Sequence, residues 1–210
     1  MKRIIIADDH EIVRAGLKQI ILNDPELLVE GEAADGQELL EKLRKKAYDV
    51  VLLDMKMPGR SGLEILKQLK IEHPSLPVLV LSMHSEEQYA VRTIKAGASG
   101  YITKETAPDK LIEAIRKVCT GGKYISPSLA EKLADSLSDA RSKPAHEYLT
   151  DREFQVMCMI ASGKTITEIA RELFLSVKTI STYRQRILEK MNLKNNAELT
   201  HYVISSNLLE

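Results

Sequence analysis

Three unbroken apolar runs dominate the first half of the chain. They lie at 4–7, 50–53 and 78–81, and each holds four apolar residues in a row. Runs without alternation are typical of strands buried on both faces, as in parallel sheets covered by helices. A shorter segment at 99–103 predicts a fourth strand. Because a plausible helix follows each run, the pattern predicts a repeated βα unit and an α/β doubly wound parallel sheet.

The pattern changes to helical spacing in the last third of the chain. Thr150 and Glu153 have the spacing of a capping box ahead of an apolar-periodic helix. Apolar positions in 165–173 form one face of a short second helix, and a third helix is predicted from 177 to about 191. The residues at 174–176 make a tight turn between them. Two short helices joined in this way predict a helix-turn-helix, whose second helix enters the major groove of DNA.

A change in composition marks the boundary between the two parts. Gly121 and Gly122 end the last helix of the first part, and 126–146 is rich in Ser, Asp, Lys and Ala. Leucine at a four-residue interval predicts a helix in the first part of that stretch, whereas 138–147 lacks periodicity and suits a flexible tether. We therefore predict a first domain at 1–122, a partly helical linker at 123–147 and an all-helical domain at 148–210.

Polar side chains follow the predicted strands at the point where each strand ends. Since the carboxyl ends of parallel strands meet at one edge of the sheet, where open α/β sheets bind ligands, we expect these groups to lie together. Each group alone could be a solvated strand-end residue, but five complementary groups favour a site. Three carboxylates repel unless a cation joins them, which favours a metal site. The five residues are Asp8, Asp9, Asp54, Ser82 and Lys104.

The chemistry of these groups favours Mg²⁺ and phosphate. Mg²⁺ prefers oxygen ligands and leaves positions for phosphate oxygens, while Lys104 and Ser82 supply a charge and a hydrogen-bond donor suited to a phosphoryl group. The sequence contains no Gly-rich nucleotide loop of the GxxxxGK[ST] type. The remaining option is a carboxylate that is itself phosphorylated, and Asp54 on a central strand is the best nucleophile.

This arrangement resembles the receiver domain of two-component response regulators over residues 1 to about 120. The likeness rests on the five strand-end residues and on Lys-Met-Pro-Gly at 56–59. It implies a five-stranded flavodoxin-like sheet in which Asp54 accepts a phosphoryl group from a sensor histidine kinase. Asp8 and Asp9 would hold Mg²⁺ together with Asp54 and the backbone carbonyl of Lys56.

The same resemblance assigns roles to three further residues. Ser82 and Lys104 would bind the phosphoryl oxygens. Tyr101 matches a switch aromatic that turns inward when Ser82 moves toward the phosphate. The alternative for Tyr101 is an ordinary half-buried strand aromatic.

Charge on the predicted third helix favours nucleic-acid binding. Residues 176–194 hold five Lys or Arg and one acidic residue, Glu189. A basic helix of this kind is typical of phosphate-backbone binding, although a solvated surface helix would have the same composition. Ile180, Ile187 and Leu188 are expected to face inward. Facing outward, Ser181, Thr182 and Gln185 have the reach for base edges. The full set of predicted DNA contacts is Lys178, Thr179, Ser181, Thr182, Arg184, Gln185 and Arg186.

The second domain resembles the LuxR-type helix-turn-helix. The matching residues are Leu-Thr-Asp-Arg-Glu at 149–153, Leu-Ser-Val-Lys-Thr-Ile at 175–180 and Lys-Met at 190–191. With a receiver in front, the chain resembles a NarL/FixJ-class response regulator. In that family the last helix mediates dimerisation; here 196–205 could do so or could pack on its own domain.

The resemblance implies a phosphorylation-dependent transcription regulator. Its partners would be a cognate histidine kinase, double-stranded promoter DNA and a second copy of the chain when phosphorylated, with RNA polymerase as a further candidate. Enzymatic activity would be limited to accepting the phosphoryl group and slow autodephosphorylation. Two other classes stay open: a phosphate-ester hydrolase that uses the acidic pocket, and a module that sequesters a partner protein without touching DNA.

Composition fits this picture. The 210 residues are 44% hydrophobic with a formal net charge of zero, which suits two domains with real cores. No apolar stretch approaches a membrane span and no hydrophobic signal region is present, so we expect a cytoplasmic protein with reduced Cys119 and Cys158. The histidines, including His10 and His84 near the acidic edge, show no metal-ligand spacing.

Overall fold

The structure, a computed structural model, describes residues 1–82, 89–104, 108–138, 144–206 and 208. His84 and the linker positions 139–143 lie outside these residues. The chain forms two compact units, Met1–Lys132 and Leu133–Glu210. In the described part of the chain, no helix combines the length and the apolar character needed to cross a bilayer.

The first unit is built on a five-stranded parallel sheet. The strand order is β2-β1-β3-β4-β5, which confirms the predicted doubly wound, flavodoxin-like fold. The strands are β1 (Lys2–Ala7), β2 (Leu27–Ala33), β3 (Val50–Asp54), β4 (Val78–Ser82) and β5 (Gly100–Thr103).

Helices cover both faces of this sheet. Alternate residues of the central strands point to opposite faces, so Ile4 and Ile6 of β1 face the core that contains α5, and Ile5 faces the other layer. All these side chains are fully buried, as the unbroken apolar runs predict. The helices are α1 (Glu11–Ile21), α2 (Gly36–Lys45), α3 (Gly62–Glu72), α4 (Tyr89–Lys95), α5 (Pro108–Cys119) and α6 (Pro127–Ser138).

The predicted linker contains a helix, α6, and the start of a short 3-10 helix. The leucine repeat of its first half lies in α6, where Leu129 is fully buried. The division between the two compact units falls inside this helix, at residues 132 and 133.

The described part of the second unit is all helical, and a short 3-10 helix at Ala145–Tyr148 follows the end of α6. Thr150 and Glu153 form the predicted capping box at the start of the next helix. Ser176 caps the third helix of the domain by accepting a hydrogen bond from the amide of Thr179 at 3.0 Å. The helices are α7 (Asp151–Ala161), α8 (Ile166–Glu172), α9 (Val177–Met191) and α10 (Asn196–Ser205).

The core of this domain joins the four helices. Its fully buried side chains come from α7, α8, α9 and α10 alike, and α7 packs against both α9 and α10. Leu199 and Val203 on α10 therefore pack within their own domain, one of the two roles predicted for that helix. The most buried core residues include Phe154, Met157, Ile169, Ile180 and Ile187.

Candidate functional site

The ends of the parallel strands bring the predicted acidic and basic groups together. Asp8 directly follows β1, Asp54 ends β3 and Lys104 directly follows β5. The Nζ of Lys104 lies 2.6 Å from Asp8 Oδ2 and 2.9 Å from Asp54 Oδ2. Ser82 ends β4, between these strands, and is buried. The structure thus assembles residues that are up to 96 positions apart in the sequence.

Burial sets the electrostatics of Asp54, which is 2% exposed. Removal from water raises the pKa of its carboxyl group, and the neighbouring Asp8 adds to the rise. The Lys104 ammonium and the backbone amide of Lys56 oppose the rise without cancelling it. Its Oδ2 lies 2.9 Å from Lys104 Nζ and has no other hydrogen-bond partner among the described residues. This oxygen therefore retains capacity for another partner.

Lys104 responds in the opposite way to the same contacts. Burial works to lower the pKa of its ammonium group, but the hydrogen bonds and charges of Asp8 and Asp54 outweigh that effect and the net pKa is raised. Lys104 is therefore a permanent cation at the sheet edge. It neutralises part of the negative charge of the two buried carboxylates.

The acidic edge could hold a divalent metal ion. Asp8, Asp9, His10 and Asp54 each offer one ligand atom, and these atoms lie within 4.8 Å of one another. The three carboxylates are hard oxygen donors, which fit Mg²⁺. Two of them are buried and two members of the group are exposed, so the cluster is open to solvent on one side.

His10 lies in this cluster, although the sequence interpretation assigned it no role as a metal ligand. Its Nδ1 lies 2.8 Å from Asp9 Oδ1, and its backbone amide donates to Asp8 Oδ1 at 2.9 Å. The sequence placed His10 near the acidic edge, and the structure brings its ring to within 4.8 Å of the carboxylate oxygens. The only sequence signal was its position directly after Asp9, at the turn into α1.

The loop after Asp54 is held by a close backbone contact. A Cβ atom added to Gly62, the first residue of α3, would lie 2.6 Å from Met55 Cα and 2.7 Å from the backbone oxygen of Asp54. Such distances are too short for any side chain, so only glycine fits there. Gly62 positions the loop that carries Lys56, and nothing in the sequence pattern indicated this role.

Tyr101 lies on β5 in register with Val80 and is 1% exposed. Its side chain is therefore turned inward, and the interpretation as a half-buried strand aromatic is wrong about its burial. Two pairs further along the same register, Ser82 lies opposite Thr103, which precedes Lys104.

The exposed face of α9 carries most of the predicted DNA contacts. Ile180 and Ile187 are fully buried, and Leu188 is buried as expected. Thr179 and Arg184 are half-buried. The side chains that face solvent are those of Lys178, Ser181, Thr182, Gln185 and Arg186.

Several of these polar groups bond within the helix. Ser181 Oγ donates to the carbonyl of Val177 at 2.9 Å, and Gln185 Nε2 donates to Glu189 Oε1 at 2.9 Å. Arg184 Nε donates to Asn196 Oδ1 at 2.6 Å, which ties α9 to the start of α10. Arg184 therefore supports the helix in addition to any contact with a ligand.

Lys190 departs from the predicted basic surface of this helix. Its Nζ lies 2.6 Å from Oε2 of Glu153, a buried carboxylate on α7. This charge is paired with a carboxylate of its own domain, so the positive charge available on the surface of the helix is smaller than the sequence count indicates.

Comparisons with known proteins identify both units. Residues 4–116 match the family model of the response regulator receiver domain, and residues 147–203 match the model of bacterial regulatory proteins of the luxR family. The chain belongs to the response regulator family, in its NarL/FixJ class. The receiver match contains all five strand-end residues of the regulator, and the luxR match contains its helices α7, α8 and α9.

Relatives of the regulator match over its whole length. The response regulator UvrY of Escherichia coli is 36% identical over 209 residues, which covers 99% of this chain and 96% of that protein. The response regulator GacA of Pseudomonas protegens is 36% identical over 210 residues, covering 100% and 99%. A solved structure of RcsB from Salmonella enterica serovar Typhimurium, bound to promoter rprA with the phosphomimetic BeF3−, has a TM-score of 0.67 at 28% identity and covers 96% of this chain and 97% of that one.

Proposed function

We propose that this regulator accepts a phosphoryl group on Asp54 from a sensor histidine kinase and thereby controls its binding to promoter DNA. The observation that carries the proposal is the position of Asp54, a buried carboxylate beside Lys104 and Asp8 at the carboxyl edge of the sheet. Its oxygen Oδ2 has remaining acceptor capacity. A buried carboxylate next to a fixed cation suits nucleophilic attack on phosphorus.

The transfer step uses the groups at this edge, the phosphodonor and the positive charge that a bound Mg²⁺ would supply. A carboxylate oxygen of Asp54 forms a bond to phosphorus while the P–N bond of the kinase phosphohistidine breaks, and the electron pair of that bond leaves with the imidazole. The Lys104 ammonium then binds the new phosphoryl oxygens in place of the carboxylates, and the Ser82 hydroxyl donates a hydrogen bond to one of these oxygens. Most of the rate enhancement comes from neutralising charge and aligning the reacting atoms.

The residues that would hold Mg²⁺ are Asp8, Asp9, Asp54 and the backbone carbonyl of Lys56. The carboxylates fit the ion because they supply oxygen atoms within 4.8 Å of one another at a partly open site. The ion supplies positive charge that stabilises the phosphoryl oxygens during transfer. His10 is not needed as a ligand, since Mg²⁺ prefers oxygen.

Phosphorylation would act through the surface around β5 and α5. Movement of Ser82 toward the phosphate would fix the inward position of Tyr101 and bias this surface between two arrangements. We expect the phosphorylated arrangement to release the helix-turn-helix domain, favour a homodimer and raise DNA affinity.

Two observations support the DNA-binding half of the proposal: the exposed polar face of α9 and the match to the luxR family. Ser181, Thr182 and Gln185 would contact base edges, while Lys178 and Arg186 would contact phosphates. Thr179 and Arg184 complete the proposed set. RcsB, which matches over nearly the whole chain, is solved with promoter DNA.

Further parts of the proposal follow from the family alone. Turnover would be limited to slow autodephosphorylation, so the protein would not be an enzyme in the usual sense. RNA polymerase is a proposed partner at the promoter, and the cytoplasm is the location that we expect.

The direct test is phosphoryl uptake from a small phosphodonor. The full chain is incubated with acetyl phosphate and Mg²⁺, and intact-mass spectrometry measures the product. We expect one phosphoryl group on the parent and on Asp109→Asn, an exposed control on α5, and none on Asp54→Asn. Equal uptake by Asp54→Asn would refute the assignment, and continuous turnover of p-nitrophenyl phosphate would favour a hydrolase.

A further inference from the structure

Two apolar side chains stand exposed at the start of α9. Phe174 lies in the turn between α8 and α9 and is 72% exposed, and Val177, the first residue of α9, is 48% exposed. Their exposure contrasts with the full burial of Ile180 and Ile187 on the same helix. Neither residue therefore contributes its apolar surface fully to the core of the domain.

The backbone conformation at position 174 is unfavourable for a phenylalanine. Phe174 has φ 55°, and only one other described residue besides glycine, Asn192, has a positive φ. Asparagine and glycine adopt this conformation readily, whereas a bulky aromatic residue is disfavoured there. The turn itself is held by backbone bonds from the amides of Phe174 and Leu175 to the carbonyls of Arg171 and Ala170, which any residue could form. A phenylalanine at this position is thus explained neither by packing nor by the turn.

The surroundings of the pair indicate what it contacts. Residues at the amino-terminal end of a recognition helix are those that reach base edges in the major groove. Lys178 follows Val177 directly and is exposed, so the apolar pair sits beside a cation that suits phosphate. The polar residues Ser181 and Thr182 continue the same exposed face.

The apolar group that the major groove offers at a base edge is the methyl of thymine. We propose that Phe174 and Val177 form an apolar contact with thymine methyl groups and so add an A·T preference at one end of the site bound by α9. The inference rests on the proposed DNA-binding function and names specificity residues that the sequence interpretation did not include. A protein partner would explain the apolar surface but not its place beside Lys178 at the start of the recognition helix.

The first experiment separates a structural role from a contact with DNA. A duplex is selected from a random-sequence pool with the full-length parent protein, and affinities for that duplex are measured. Phe174→Asn should melt at or above the temperature of the parent, because asparagine suits the positive φ, yet bind the selected duplex about tenfold more weakly. Ile71→Gln, which removes another exposed apolar residue far along the sequence on α3, should leave both quantities unchanged.

The second experiment tests the methyl group itself. Replacing the selected thymines by deoxyuracil removes only their methyl groups, and should weaken binding of the parent about fourfold per contacted base, the ratio for one buried methyl-sized group. Binding by Phe174→Asn, or by Val177→Ser where Val177 makes the contact, should not respond to the replacement.

Three results would overturn the inference. If Phe174→Asn and Val177→Ser bind the duplex as the parent does, the pair has no contact with DNA. If DNA binding is unchanged but transcription with purified RNA polymerase is lost, the partner is a protein. If the parent selects and binds no duplex, the proposed function fails as well. Binding by the parent therefore distinguishes a failure of the apolar contact from a failure of the proposed DNA binding.

Discussion

Lys190 Nζ lies 2.6 Å from Glu153 Oε2 and joins α9 to the first turn of α7. Burial works to raise the pKa of Glu153, but hydrogen bonds from Lys190 and Thr150 outweigh it, and the net pKa lies below the ordinary 4.5. The same carboxylate accepts from the amide of Thr150 at 2.8 Å as part of the capping box. One side chain thus caps α7 and fixes the position of the recognition helix.

Removing this ion pair should loosen the helix-turn-helix domain. Lys190→Met should lower the free energy of unfolding by about 1–2 kcal/mol, less than the ~3–5 kcal/mol typical of fully buried pairs because the lysine is partly exposed. Hydrogen-exchange mass spectrometry of peptides from α7 and α9 would measure the loss. Unchanged protection of these peptides would show that the pair contributes nothing, and Lys164→Met, at an exposed pair, is the matched control.

The same pair should make the domain sensitive to acid. Because the pKa of Glu153 is lowered by folding, its contribution is complete above pH 4.5 and is lost as the pH falls through the lower pKa of the folded state. The difference in stability between the parent and Lys190→Met should therefore shrink below pH 4.5. Urea unfolding between pH 3 and pH 7, roughly the range in which carboxylates titrate, tests this; a constant difference would contradict it.

A glycine controls the loop beside the acceptor. Gly62→Ala should lower the stability of the receiver domain by about 1–3 kcal/mol, because its Cβ would lie 2.6 Å from Met55 Cα. It should also slow phosphoryl uptake, since the loop carries Lys56. Gly16→Ala in α1 meets no atom within 4 Å and should be neutral or stabilising. Equal behaviour of the two variants would show that the close contact has no effect.

When no metal is present, the ionised carboxylate of Asp54 should lower the free energy of unfolding. Its folded pKa is raised, so ionisation above the ordinary value of 3.8 destabilises the fold. Asp54→Asn should therefore raise the free energy of unfolding at pH 7 in metal-free buffer, because Lys104 keeps its contact with Asp8. The gain should diminish as the pH falls toward 3.8. Chemical unfolding with and without EDTA measures it, and a lower stability of Asp54→Asn would contradict the prediction.

The two arginines of α9 should affect DNA binding differently. Arg186 is exposed, so Arg186→Ala should weaken binding to all sequences and reduce the magnitude of the salt slope by about 1. Arg184→Ala should also loosen the junction with α10, because Arg184 bonds Asn196. Fluorescence anisotropy over a range of salt concentrations would show this. Arg44→Ala, on the receiver, is the control, and an unchanged slope in Arg186→Ala would contradict the assignment.

Sequence patterns predicted the strands and helices whose residues carry a strong local pattern. The apolar runs located β1, β3 and β4, and the capping residues placed α7 and α9. The edge strand β2 was not located, because Glu30 and Glu32 interrupt its apolar residues and most of the strand is only half-buried.

What the sequence could not give depends on contacts between distant residues. The pairing of Lys190 with Glu153 spans 37 positions, so a count of charges along one helix could not detect that one of them is paired with a buried carboxylate. The positive φ at Phe174 and the close approach at Gly62 are likewise properties of the folded backbone. Strand-end chemistry was predictable because parallel topology alone brings strand ends together.

The most direct test of the central claim is the affinity of the full chain for its selected duplex, measured with and without beryllofluoride in the presence of Mg²⁺. The parent should bind more tightly with beryllofluoride, and Asp54→Asn should show no response. An unchanged or weakened affinity of the parent, or an equal response by Asp54→Asn, would contradict the account.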